Sequence, residues 1–292
     1  MPRPDLEFLG IGYRRIPVIS IGKDVYCDTH LIFSKLETLY PNSTLTPPTP
    51  SGAGIRKLFE SWTADGGIFA NAVKMMPYWQ EEGFLTNEKI IVDRQKLMGR
   101  KFTPEIMEAG RPDAAQHLRQ AFDMLECTFL ADGRDWILDT KEPSLADIDA
   151  IWPFVWLMVD PRMKDSLPIK HFNADKYPKV FAWVERFVAE VERKKKELGK
   201  TTVLDSNSMG QRILGTASSP EHVSFIDDDM LGLKQGDDVK VFPSDYGQMG
   251  KTVGAIVGLT ADEVVIRSSQ GVFMHFPRWN YTIKKVPSKS MI

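Results

Sequence analysis

The chain has 292 residues, room for roughly two domains, and its 42% hydrophobic and 26% charged residues match an ordinary globular protein. A net charge of −2, with both signs mixed along the sequence, excludes the basic footprint of a nucleic-acid binder, and two cysteines, Cys27 and Cys127, exclude a disulfide framework. No apolar run is long enough to span a membrane and no signal-peptide pattern follows Met1, so a soluble protein of the cytoplasm with no membrane partner is expected.

Residues 1–13 are Pro-rich and then short. Only 16 residues precede Pro17, too few for a crossover unit of about thirty. Ile16 to Ile21 is apolar and β-branched, which suits a buried strand; Gly22, Lys23 and Asp24 make a hairpin turn, and Val25, Tyr26 and Cys27 return. Pro17 removes a ladder donor near the strand start, so it belongs at an edge or in a cis bond. Cys27 reads as a small strand hydrophobe. Asp28 or Thr29 caps a helix whose apolar face is Leu31, Ile32, Leu36 and Leu39.

Asn42 to Pro50 is a linker by composition. Helical periodicity follows. Ile55, Leu58, Phe59 and Trp62 form one face, and Ile68, Phe69, Ala72, Val73 and Met76 continue beyond Gly66-Gly67. Leu118, Phe122, Leu125 and Phe129 give another helix, with Pro112 expected near its start. The strongest local signal is Ser144-Leu145-Ala146-Asp147, a capping box with a short acid. The helix it opens carries Ile148, Ile151, Val155 and Met158 on one side and Trp152, Phe154 and Trp156 elsewhere, so it should be central to its domain. Tyr177-Pro178 starts a helix with Val180, Trp183, Val184, Phe187 and Val191 on one stripe. From Gly199 to Asp229 the composition turns to Ser, Thr, Gly and Asp and reads as a linker. The period then changes to two, with Val239 and Val241, Val253 to Leu259, Val264 and Ile266, Val272 to Phe276, and Tyr281 with Ile283 marking about five strands.

Ile16-Pro17-Val18 entering a hairpin, with Asp28-Thr29 opening the next helix, resembles the second half of the glutathione-binding, thioredoxin-like domain of glutathione S-transferases. The Ser144–Asp147 box, its Leu-Ala-Asp-Ile wording and the approach from Gly133 to Leu138 resemble the core of the transferase helical domain. The resemblance covers roughly residues 8–195 and identifies the chain as a fungal-type transferase-like protein lacking the first part of the thioredoxin-like domain. It implies an α+β multidomain fold: a partial thioredoxin-like βα unit over 1–41 and an all-α transferase C-terminal-type domain over 51–198. Outside that fold, composition and the period-two pattern predict a linker over 199–228 and a small antiparallel β barrel or sandwich over 229–292.

By the resemblance, glutathione is the co-substrate. Asp28 and Thr29 would hold its γ-glutamyl end and the backbone at Ile16 and Pro17 its cysteinyl unit. Trp62, Phe69 and Met76 could line a pocket for a small hydrophobic electrophile, and Ser144 with Asp147 would serve as a structural cap. The family usually has Glu-Ser where this chain has Asp-Thr, so one methylene of reach is missing. The Tyr, Ser or Cys that meets the glutathione thiol falls in the family's first unit, which leaves no catalytic residue to assign here. The function implied is glutathione transfer to an electrophile where that segment is present, in a homodimer, and the alternative is a non-catalytic scaffold. The five histidines, His30, His117, His171, His222 and His275, show no metal spacing and no pairing with Cys or Asp, so no metal is expected.

Overall fold

The computed structural model describes residues 3–47, 49–64, 67–77, 87–99, 101, 103–217 and 223–287. The order begins with α1 (Pro4–Phe8), β1 (Val18–Ile21), β2 (Asp24–Cys27) and α2 (Thr29–Leu39). Helices follow: α3 (Pro50–Ala64), α4 (Ile68–Lys74), α5 (Glu88–Met98), α6 (Pro104–Met124), α7 (Leu145–Val159), α8 (Pro178–Leu198) and α9 (Ser206–Leu214). Then come β3 (Asp238–Pro243), β4 (Thr252–Leu259), β5 (Glu263–Arg267), β6 (Phe273–Pro277) and β7 (Tyr281–Lys285). These elements form an α+β chain of two compact units: Met1–Tyr40 with Lys89–Lys101 and Thr202–Ile292, and Pro41–Glu88 with Phe102–Thr201.

The first unit is built on one seven-stranded sheet in the order β1-β2-β6-β5-β4-β3-β7. This corrects the expected division into a partial domain over 1–41 and a separate β domain over 229–292. The physical reason is β2. All four of its residues are buried, and a strand covered on both faces needs a neighbour on each edge. β1 supplies one, antiparallel, with Val18 opposite Cys27 across a turn where Gly22 takes φ +64. β6 supplies the other, parallel, pairing Asp24, Val25 and Tyr26 with Phe273, Met274 and His275. β1 itself lies at the sheet edge with Ser20 and Ile21 exposed, so it is not the buried strand expected over Ile16 to Ile21.

The period-two reading holds for β3, β5, β6 and β7, whose Val239, Val241, Val264, Ile266, Met274, Phe276, Tyr281 and Ile283 are buried. On β4 the phase is different. An irregularity between Ile256 and Gly258 shifts the register, so Ile256 and Leu259 both face the core while Val253 is exposed. The expected linker over 199–228 contains α9, capped by Asp205 through the Ser208 N–H (2.9 Å), which buries Ile213 and sets Gly210 beneath the Phe8 ring of α1. Leu6, Leu9, Ile11 and Tyr13 join the same core. Gly12 passes so close to β4 that a Cβ there would lie 2.0 Å from the Lys251 carbonyl oxygen. On α2 only Ile32 is buried, and Leu36 and Leu39 face outward, contrary to expectation.

His275, 0% exposed, fastens the hairpin to the later strands. Its Nε2 lies 2.9 Å from Asp24 Oδ1 on β2 and its Nδ1 2.5 Å from Glu263 Oε1 on β5. The ring also stacks on Tyr26 at 4.2 Å between centroids. Burial pushes the imidazole pKa down, but the bonds to Asp24 and Glu263 and the charges of both carboxylates outweigh it, and the net shift is upward. Sequence spacing showed no such pairing, because Asp24 lies at the other end of the chain and Glu263 meets His275 only through the pairing of β5 with β6.

In the helical unit, α3, α4, α6, α7 and α8 enclose a core that includes Phe59, Ala72, Phe122, Ile151, Phe154 and Trp183. Leu58, expected on the inner face of α3, is 71% exposed. α6 begins at Pro104, runs through Pro112 and passes into a π-helical turn over Leu125–Phe129, so Pro112 lies inside the helix. The capping box forms at the head of α7. Asp147, 0% exposed, accepts from the Ser144 N–H (3.0 Å) and Oγ–H (2.9 Å), from the Ile137 N–H (2.8 Å) and from Trp183 Nε1 (3.1 Å). Burial raises this carboxyl's pKa above the ordinary value, and the four donors oppose the rise without cancelling it.

Two stability predictions follow from these buried groups. Ser144→Ala should destabilise the helical unit by about 1–2 kcal/mol, read as a lower denaturant midpoint, and an unchanged midpoint would assign the box no weight. For His275 the folded pKa exceeds the ordinary 6.5, so its contribution is full below that value and fades as pH rises through the folded value. Stability should therefore fall with rising pH above about 6.5. His275→Gln should remove that dependence and lower stability by about 3–5 kcal/mol, since the buried Asp24 and the part-buried Glu263 lose their cation. Equal pH profiles for the two proteins would contradict this.

Candidate functional site

α2 begins in an unusual backbone state. Asp28 takes φ +71 and ψ 136, a left-sided conformation that costs a non-glycine residue about 1–3 kcal/mol and has to be held by its surroundings. The holding groups are identifiable. Oδ1 accepts from the His30 N–H (3.2 Å) and lies 2.6 Å from His30 Nδ1. Oδ2 accepts from the Tyr281 hydroxyl at 3.0 Å, and that hydroxyl lies 3.1 Å from the hydroxyl of Tyr13. Burial works to raise the Asp28 pKa, but the bonds and charge of His30, with the Tyr281 bond, bring it below the ordinary carboxylate value. Asp28 is thus an ionised helix cap, and Thr29, half-buried, is the first helical residue.

The two expected backbone contacts lie at the same end of the hairpin. The register that sets Val18 opposite Cys27 carries Ile16 and Pro17 toward Asp28 and Thr29. The Ile16–Pro17 bond is cis, and Ile16 is 69% exposed. The approach to it is fixed by two arginines. Arg14 pairs with Asp93 on α5 at 2.7 Å. Arg15 bonds Asp245 and the Tyr246 carbonyl and lies over the Tyr246 ring, 4.0 Å from its centre. Cys27 is fully buried; its Sγ lies 3.5 Å from the His275 carbonyl and 3.9 Å from the Tyr281 hydroxyl, and burial pushes its pKa well up. It is a packed thiol, as the sequence reading had it.

The proposed electrophile residues all lie in the helical unit. Trp62 packs edge-on against Phe59 (5.6 Å) and stacks with Phe154 (6.2 Å), and Met76 is half-buried against the core. Phe69 instead meets Trp152 (5.1 Å) and Trp156 (5.9 Å), two α7 residues one turn apart. Their aromatic spacing was visible in the sequence, and only the packing of α4 shows that Phe69 joins them. As site residues Tyr13 and Tyr281 escaped the sequence reading, which took Tyr281 only as a strand residue, since nothing in their local pattern points to Asp28. Among the described residues no group of three or more His, Cys, Asp and Glu is arranged to hold a metal ion, and no helix is long and apolar enough to cross a membrane.

Comparison with known proteins places these units. A family model described as a domain of unknown function, DUF7962, matches residues 71–196. No curated protein matches the chain. A solved GST-like protein from Pseudomonas syringae is 23% identical over 98% of this chain and 87% of its own, with a TM-score of 0.62. A glutathione transferase homologue from Sulfitobacter with bound glutathione is 14% identical over 62% of this chain and 74% of its own (TM-score 0.41). A glutathione S-transferase from Methylobacterium radiotolerans, in complex with glutathione sulfonate, is 17% identical over 65% of this chain and 76% of its own (TM-score 0.38). On the first of these likenesses, the chain has the fold of a GST-like protein.

Proposed function

We propose that this chain binds glutathione at the head of α2 and, as a transferase-like protein of the cytoplasm, presents it to a small hydrophobic electrophile. The observation that carries the reading is Asp28 at φ +71, a strained residue kept at a helix start. An ionised Asp28 suits the γ-glutamyl ammonium. The Thr29 hydroxyl and the first-turn N–H groups, at the positive end of the α2 dipole, suit the neighbouring carboxylate. The backbone at Ile16 and Pro17 suits the cysteinyl unit. Phe69, with the 39%-exposed Trp152, is the better candidate surface for the electrophile than Trp62 or Met76, which, like Trp156, pack against the core.

A second reading, binding without conjugation, is favoured by the state of the two hydroxyls nearest Asp28. Tyr13 and Tyr281 are both buried and bonded to each other, so neither is placed to meet a thiol from solution. A homodimer, as the resemblance implies, fits either reading.

Calorimetric titration of the full chain with glutathione tests the binding. A saturable heat is expected, weakened about tenfold or more by Thr29→Val and by Asp28→Asn, the loss of a charge-assisted bond. Absence of binding at millimolar glutathione would overturn the reading. Conjugation of a chloronitrobenzene by the same protein separates the two forms: turnover supports the transferase, and binding without turnover supports the second reading.

A further inference from the structure

The Asp28 carboxylate offers about four acceptor positions, and three protein donors occupy three of them. Both positions on Oδ1 go to His30, through its N–H and its Nδ1. One position on Oδ2 goes to Tyr281. The open capacity is therefore on Oδ2, the oxygen that Tyr281 holds. We propose that Tyr281, on the C-terminal strand β7, is a positioning residue that aims Oδ2 of Asp28 at a ligand ammonium group. This rests on the reading of Asp28 as the partner of the γ-glutamyl ammonium.

The direction of the hydrogen bonds supports this role. Tyr281 has one hydroxyl proton and three neighbours, Asp28 Oδ2 at 3.0 Å, the Tyr13 hydroxyl at 3.1 Å and, more distant, Cys27 Sγ at 3.9 Å. An ionised carboxylate is the stronger acceptor, so Tyr281 donates to Asp28 and accepts from Tyr13. The result is a one-way chain from Tyr13 through Tyr281 to Asp28, each bond polarising the next. Burial keeps both phenols far above their ordinary pKa, so the two remain neutral donors. Tyr281 is itself well held: it pairs with Pro243 across β3, and its ring packs against Phe276 (5.7 Å) and Tyr13 (6.3 Å). The titratable groups acting on Asp28 or sensing it are His30 on α2, Tyr281 on β7, Cys27 on β2, and Tyr13 and Tyr246. The C-terminal strands then do more than cover the hairpin, because one of their side chains shapes the recognition of the ligand.

The test is Tyr281→Phe in the full chain, which keeps the ring and removes the donor. Glutathione affinity, measured by calorimetry across pH, should fall about tenfold at neutral pH. The acid limb of its pH profile should move to higher pH, because a carboxylate that loses a donor holds its proton more tightly. A deaminated glutathione, which lacks the ammonium, should lose nothing from the substitution, whereas a merely structural defect would weaken both ligands alike. Carboxyl NMR of the ligand-free protein gives a second reading: Asp28 should titrate below the ordinary range in the wild type and higher in Tyr281→Phe. Tyr13→Phe, which leaves the Tyr281 donor in place, should shift both measures less and in the same direction. If Asp28→Asn weakens glutathione binding and Tyr281→Phe changes neither affinity nor the Asp28 titration, the positioning role is overturned and the Asp28 reading stands. If Asp28→Asn has no effect on binding, the reading beneath it fails and the proposal fails with it.

Discussion

Two carboxylates closing on one buried imidazole hold the first unit together. His275 sits between Asp24 and Glu263 with no exposure to solvent, and its three partners, counting the stacked Tyr26, lie on β2 and β5. Taking such charges out of water costs several kcal/mol per ion, and only a cluster with complementary charges and well-formed bonds offsets it. The cluster therefore specifies a pairing. β2 lies beside β6 in the register that brings Tyr26 opposite His275, and another register would leave buried charge unpaired. From that pairing the rest follows. The hairpin gains a second neighbour, the sheet continues through β5, β4 and β3 to β7, and the chain at Tyr281 returns to the mouth of the hairpin within hydrogen-bonding reach of Asp28.

The helical unit solves a similar problem with one carboxylate. Asp147 is buried and takes four donors, from the α7 cap, from the loop at Ile137 and from Trp183 on α8. Arg56 and Asp149, at 3.0 Å, join α3 to α7 nearby in the same fashion, and the Thr63 hydroxyl donates to the Asp149 carbonyl at 2.7 Å. In both units an ionisable side chain, saturated with partners, fixes which elements meet, while apolar contacts supply most of the burial.

What could be read in advance was local. The capping box at Ser144, the strand runs from Val239 onward and the Asp28 cap each depend on residues within a few positions of one another, so their patterns survive in the sequence. The parallel pairing of β2 with β6 does not. It joins segments from opposite ends of the chain, and period-two alternation identifies a strand without naming its neighbour. For the same reason the bond from His275 to Asp24 was hidden and Tyr281 carried no sign of Asp28, whereas His30 lies only two residues from Asp28 and its pairing comes from the turn at the helix start. On β4, one extra residue reversed the inward phase after Ile256, which alternation alone cannot foresee. α9 was read as linker because Ser, Asn and Gly dominate its polar face, yet a capping Asp205 and the burial of Ile213 suffice for nine helical residues. Helical spacing reports that Trp62, Phe69 and Met76 are apolar and periodic, not which of them pack against the core.

The central claim is that the N-terminal hairpin and the C-terminal strands are one cooperative sheet. Native-state hydrogen exchange of the full chain addresses it most directly, because backbone amides report the free energy of the opening that exposes them. The amides of β2 and β6 should exchange through a common opening, with matching free energies and matching sensitivity to denaturant. A hairpin whose protected amides open at much lower free energy, while β3 to β7 keep full protection, would contradict the account.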